Sequence, residues 1–224
     1  MTGTLWTIIV AGGTGSRFAG ALPKQFCRIG GKPMLMHTIS SVRRAFPGSG
    51  IVIAMHSSFM DLWDEVCREF GYVSPIVVEG GATRWESVKK ALEAVPADAS
   101  YVAVHDAARP VLSPEIGRSV AEALERGHQG ALPVVAVTDS LRVVTEEGSK
   151  AVDRSAYRAV QTPQVFRAGL LRDAYSRPYQ SSFTDDASVM EAAGFTDLEL
   201  VEGDPQNIKV TNPGDDKIAE MYLS

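Results

Sequence analysis

Short runs of consecutive apolar residues alternate along this chain with longer segments whose apolar positions recur every three or four residues. Trp6 to Val10, Ile51 to Ala54, Ile76 to Val78, Tyr101 to Val104 and Ala131 to Val135 are of the first kind, the pattern of strands covered on both faces. Residues 34–46, 59–70, 84–95 and 114–126 are of the second, and in 84–95 Trp85, Val88, Leu92 and Val95 fall on one helix face. Strand and helix in alternation predict an α/β fold, a mostly parallel Rossmann-like sheet with helices on both faces, in a single domain over residues 1–224. In such a sheet a ligand is expected beyond the carboxyl ends of the strands, where the first run gives way to glycines.

The alternation breaks after Val137. Residues 138–158 carry two short polar–apolar runs around Glu146-Glu147-Gly148, which read as a protruding β-hairpin arm. A lone hairpin is marginal in water, so the arm is expected to rest on another surface, most simply a second copy of the chain in a homodimer. The α/β pattern then resumes, with helices expected near 167–179 and 185–193, a strand near 198–201 and a last helix opened by Asn212-Pro213.

Composition narrows the function classes. The 224 residues are 45% hydrophobic, enough for a full core. No apolar run reaches the roughly 18 residues of a membrane span, and the N-terminus has no export pattern; cytoplasm is the expected location. Cys27 and Cys67 are too few for a disulfide framework or a cysteine zinc site and are expected in or near the core. A net charge of −5 argues against nucleic acid as a partner, so any anion must be held by a local cluster of cations.

The first glycine loop supplies one such cluster. Residues 11–26, AGGTGSRFAGALPKQF, match neither the P-loop nor the dinucleotide fingerprint. They do place Arg17 and Lys24 on one excursion, with Pro23 stiffening the backbone before the lysine. Such a pair suits a triphosphate; the plain alternative is a solvated loop with incidental cations.

Further candidates follow later strands. VHDAARP at 104–110 sets Asp106 at a strand end, placed for a divalent cation or a substrate hydroxyl, with Arg109 near enough to pair with it or to face an anion. His105 and His37 are read as packed, hydrogen-bonded histidines. Thr184 before Asp185-Asp186 reads as a helix N-cap. Lys209, between Ile208 and Val210 on a presumed strand, requires an anionic partner.

Taken in order, AGGTGSR…PKQF, GGATRWESV, VHDAARP, VDRS, QTPQVF, TDDAS and NIKVT resemble the 2-C-methyl-D-erythritol 4-phosphate cytidylyltransferases from about residue 6 to the end. The resemblance implies transfer of CMP from CTP to the sugar-alcohol phosphate with Mg²⁺ and release of pyrophosphate. It implies Arg17 and Lys24 as catalytic cations, and Ala11, Gly12, Gly13, Gly81 and Ser87 as nucleotide contacts. Asp106 falls on the metal and substrate aspartate; Arg109, Thr184 and Lys209 fall among the substrate contacts. Arg154, and Ser140 where members often carry threonine, fall on the arm that reaches a partner's substrate. Ala82 stands where some members carry an acidic residue, so any nucleotide contact there is through backbone. The acceptor is itself a phosphate monoester with a second pKa of about 6, and needs no general base.

The related ribitol 5-phosphate cytidylyltransferases share PKQF, QTPQ and NIKVT but usually read D-A-V-R at 106–109 and a cysteine-containing segment at 185–188. A non-catalytic nucleotide-binding module on the same scaffold is a second alternative. The joint presence of Arg17, Lys24, Asp106 and Lys209 speaks against it.

Overall fold

The computed structural model describes residues 3–13 and 23–224; Arg17 lies outside them. Strand β1 (Leu5–Ala11) leads through a short hairpin, β2 (Arg28–Ile29) and β3 (Lys32–Pro33), to helix α1 (Met34–Ala45). Then come β4 (Gly50–Met55), α2 (Met60–Glu69), β5 (Ile76–Glu79), α3 (Arg84–Ala94), β6 (Tyr101–Asp106), α4 (Pro114–Glu125) and β7 (Gly130–Ala136). The arm is β8 (Arg142–Thr145) and β9 (Gly148–Ala151), and the chain closes with β10 (Arg158–Val160), β11 (Gln164–Arg167), α5 (Ala168–Ser176), α6 (Asp186–Ala192), β12 (Leu198–Glu202) and α7 (Asp215–Leu223).

β1 pairs in parallel with β4 and β6, β4 with β5, and β7 with β12. β11 runs antiparallel between β6 and β7, and β10 continues along β7 in the same sense. The central strands β1, β4 and β6 are apolar at most positions because both faces are covered, with Thr7, His105 and Asp106 as polar exceptions. Ile9, Ile53 and Ala103 pack into the layer of α1, α2 and α4; their neighbours Ile8, Val52 and Val104 pack into the layer of α3, α5 and α6. Period-2 alternation thus sends successive side chains into two different cores.

Several local expectations are corrected. β11 and β10 were not anticipated, because Gln161-Thr162-Pro163 interrupts the apolar pattern between them. The helix expected near 167–179 is shorter, since Arg167 belongs to β11. Asp185, not Thr184, caps α6: its carboxylate accepts from Ser188 N, and the Ser188 hydroxyl accepts from the cap backbone in return. Asn212-Pro213 does not open α7. Gly214 does, at φ 100°, a left-handed conformation suited to glycine, while the Asp215 carboxylate accepts from the amides of Thr211 and Asn212. Lys209 lies on irregular backbone, not on a strand. Cys67 is buried and Cys27 half-buried, both as free thiols.

The arm projects from the end of β7. All residues of β8 and β9 are exposed, and the two strands pair only with each other.

Candidate active site

The parallel register brings several strand ends to one place: Val10 lies opposite Asp106, Ala11 opposite Met55, and Met55 opposite Glu79. The residues that follow each strand, Gly12-Gly13, His56 and Gly80-Gly81, therefore converge beside Asp106 at the carboxyl edge of the sheet, where open α/β sheets bind ligands. They surround a cavity of about 490 Å³, whose wall also includes Lys24, Arg84, Ser87 and Lys209.

On one wall the glycine loop is tied to the start of α3. Thr83 Oγ1 accepts from Glu86 N, and Glu86 Oε2 accepts from Thr83 N at 3.2 Å and from Ala82 N at 2.7 Å, a capping box. Ser87 Oγ accepts from Gly81 N at 3.0 Å and donates to Thr83 O, and Lys90 Nζ donates to Gly80 O. A β-carbon at Gly81 would lie 2.1 Å from Glu86 Cβ, so this approach needs glycine.

Lys24 reaches the cavity from a single 3-10 turn, Lys24–Phe26. Phe26 anchors that turn in the core against Phe59 and Trp63. Buried Gln25 donates to Ala11 O at 3.1 Å, pinning the turn to the end of β1.

Asp106 is the electrostatic centre of the floor. Lys209 Nζ lies 2.8 Å from its Oδ2, Arg109 Nε 3.6 Å from the same oxygen, and Arg84 Nε 3.7 Å from Oδ1. Burial alone would raise its pKa; Arg84, then Lys209 and Arg109, outweigh that and hold the carboxyl well below the usual carboxylate range. Its backbone is held as firmly. Asp106 N donates to Thr162 Oγ1, which donates to His105 Nδ1, and His105 Nε2 donates to Arg109 O. Burial keeps that imidazole neutral, with its pKa pushed down to about 4, so His105 is a buried brace, as expected of it. His37 likewise packs with its Nε2 on Ile29 O.

The remaining candidates divide. Ala11, Gly12, Gly13, Lys24, Gly81, Ser87, Asp106 and Lys209 all line the cavity. Arg109 lies beneath it: its Nη1 donates to Asn207 O at 2.7 Å, tethering the 204–210 segment that carries Lys209. Thr184 is exposed ahead of α6 and lies off the cavity wall. Ser140 and Arg154 sit on the exposed arm, where Arg154 Nη1 donates to Thr138 O. Sequence reasoning missed Gln25, His56 and above all Arg84, whose partners are far away in the chain.

For a divalent ion the cavity offers one carboxylate, Asp106; among the described residues no group of three or more His, Cys, Asp or Glu side chains gathers to form a metal cage. That donor set fits Mg²⁺ accompanying a triphosphate, since Mg²⁺ is commonly held by one or two carboxylates plus substrate phosphates and water.

The family model described as IspD, 2-C-methyl-D-erythritol 4-phosphate cytidylyltransferase, matches residues 5–224. The chain belongs to this family. It is 44% identical over 217 residues to the Bacteroides thetaiotaomicron protein of that name, covering 96% of this chain and 98% of the relative. It is 42% identical over 221 residues to a Porphyromonas gingivalis protein of the same name, covering 98% and 97%. Among solved structures it resembles the Francisella tularensis 2-C-methyl-D-erythritol 4-phosphate cytidylyltransferase, with TM-score 0.81 and 29% identity over 98% of this chain and 100% of that one. The Thermus thermophilus structure of the same name gives TM-score 0.75 and 31% identity over 96% and 97%.

Proposed function

We propose that this chain transfers the cytidylyl group of CTP to 2-C-methyl-D-erythritol 4-phosphate, releasing pyrophosphate, in the formation of isoprenoid precursors. The observation that carries the reading is the meeting of Lys24, Asp106 and Lys209 in one cavity beside the Gly81 loop, within a family of that activity.

An oxygen of the acceptor phosphate attacks the α-phosphorus of CTP. A new P–O bond forms, the bond from the α-phosphorus to the bridging oxygen breaks, and pyrophosphate leaves with that oxygen. Negative charge gathers on the non-bridging and leaving oxygens, where fixed cations lower the barrier most. Lys24 and Arg17 take that role. Gly12, Gly13, Gly81 and Ser87 hold the nucleoside, and Lys209 turns from Asp106 to the acceptor phosphate. Asp106 would hold Mg²⁺, which when bound neutralises triphosphate charge.

The site is completed across a homodimer, the partner's arm bringing Arg154 and Ser140 to the acceptor. Two facts support this: neither residue lines its own chain's cavity, and the arm exposes Val144 at 79% and Val143 at 47%, apolar surface that a partner would cover. Among the described residues no helix is long and apolar enough to cross a membrane, and the free thiols of Cys27 and Cys67 accord with work in the cytoplasm.

The test is pyrophosphate release from CTP with either 2-C-methyl-D-erythritol 4-phosphate or ribitol 5-phosphate as acceptor. Release with the first and not the second is expected; preference for ribitol 5-phosphate overturns the substrate assignment.

A further inference from the structure

One guanidinium joins the two halves of this site. Arg84 is the first residue of α3, so the capping box that fixes the Gly81 loop fixes its backbone as well. Its Nη2 donates to Asp186 Oδ2 at 2.6 Å, while its Nε lies 3.7 Å from Asp106 Oδ1. Asp186, at the start of α6, is fully buried, and its other oxygen accepts from the Tyr175 hydroxyl at 2.6 Å. Tyr175 in turn stacks on Trp85, the residue next to Arg84. Both Asp186 oxygens are thus engaged inside the protein. The helix does not require this charge, since Asp185 already caps α6.

A buried carboxylate is costly unless paired and hydrogen-bonded. Here the pairing ties three segments together: the start of α3, the end of β6 and the start of α6. We propose that Arg84 is a positioning residue of the transfer reaction, a strut that sets the separation between the nucleotide loop and the acceptor-facing pair Asp106 and Lys209. This inference rests on the cytidylyl-transfer reading.

The division of Asp106's two oxygens supports the role. Lys209 and Arg109 both address Oδ2, and among the described residues Arg84 is the cation paired with Oδ1. When Lys209 leaves for a phosphate, Arg84 still fixes the plane of the carboxylate. The task needs a planar fork. An ammonium is a point charge without the fixed fork by which one guanidinium addresses two carboxylates through separate nitrogens.

The test compares wild type, Arg84→Lys and the triple variant Arg84→Met/Asp186→Leu/Tyr175→Phe, which replaces the whole buried polar unit with apolar side chains. Calorimetric titration gives the CTP dissociation constant, and single-turnover kinetics with both substrates gives the transfer rate. For a strut, both variants bind CTP within about threefold of wild type yet transfer about 100-fold more slowly, the order of loss expected when reacting groups are misplaced by about 1 Å. Near-wild-type transfer by either variant overturns the inference, as does a slow rate that tracks lost CTP affinity. Failure of both variants to fold makes Arg84 a stability residue and overturns it as well. An active wild type with an equally active Arg84→Lys removes the strut alone; a wild type that binds CTP but does not turn over removes the functional reading and the strut with it.

Discussion

Lys209 Nζ lies 2.8 Å from Asp106 Oδ2, although Lys209 keeps about half its side chain exposed (48%) and Asp106 keeps little (11%). The lysine therefore approaches a buried carboxylate from the solvent side, where an incoming phosphate competes for it. Asp106 does not become an unpaired buried charge when that happens, because Arg84 and Arg109 remain beside it. This pair makes Lys209 available at small cost.

Replacing Lys209 with alanine is expected to raise the acceptor KM by roughly 10- to 100-fold, the loss of one charge-assisted hydrogen bond. CTP binding should change little, since the Gly81 loop and Ser87 lie on another wall. Steady-state kinetics in both substrates and calorimetric titration of CTP check it. A lost CTP affinity with an intact acceptor KM would reverse the assignment.

Lys24 presents the opposite signature. It stands at the cavity wall on a turn anchored by Phe26 and Gln25, so its backbone is fixed before substrate arrives. A preorganised cation acts chiefly on the transition state, and Lys24→Ala is expected to lower kcat by about 100- to 1,000-fold. The CTP dissociation constant should stay within a few-fold of wild type. Single-turnover rates near wild type would show that the transferred charge is stabilised elsewhere.

The central sheet was legible because strands buried on both faces leave unbroken apolar runs, and β1, β4, β5, β6 and β7 lie nearly where those runs fall. The need of Lys209 for an anion was legible too, since a lysine between Ile208 and Val210 has no other local reason. Its partner was not, because Asp106 lies on another element. The same limit hid Arg84, whose partner Asp186 is 102 residues away; local pattern carries no trace of such a contact. Helix starts were misread by a residue or two where several good caps stand together, as at Thr184-Asp185-Asp186. Arg17 lies outside the described residues, and the arm's two strands pair only with each other.

Gly81→Ala tests the loop geometry. The added carbon meets Glu86 Cβ at 2.1 Å, a clash on the capping box that relaxes only if the start of α3 shifts. Overpacking of this kind typically costs about 1–3 kcal/mol. Thermal melting should fall accordingly, and CTP affinity should weaken as the loop moves. Unchanged melting together with unchanged CTP affinity would mean that the loop yields freely.

The homodimer is tested by complementation. Arg154 sits on an arm whose strands pair only with each other, and it does not line its own chain's cavity, whereas Lys24 does. If the partner's arm completes each site, a chain carrying Lys24→Ala and a chain carrying Arg154→Ala fail separately for different reasons. In a mixed dimer one site receives both altered residues and the other receives both intact ones. Random exchange of equal amounts makes half the dimers mixed, so activity should recover to about one quarter of wild type, as the geometry of an isologous two-fold interface requires. Exchange is verified with differently tagged chains purified as a mixed pair. If that pair is isolated and shows no more activity than either parent, Arg154 serves its own chain or lies outside the chemistry, and the arm's exposed Val143 and Val144 need another explanation.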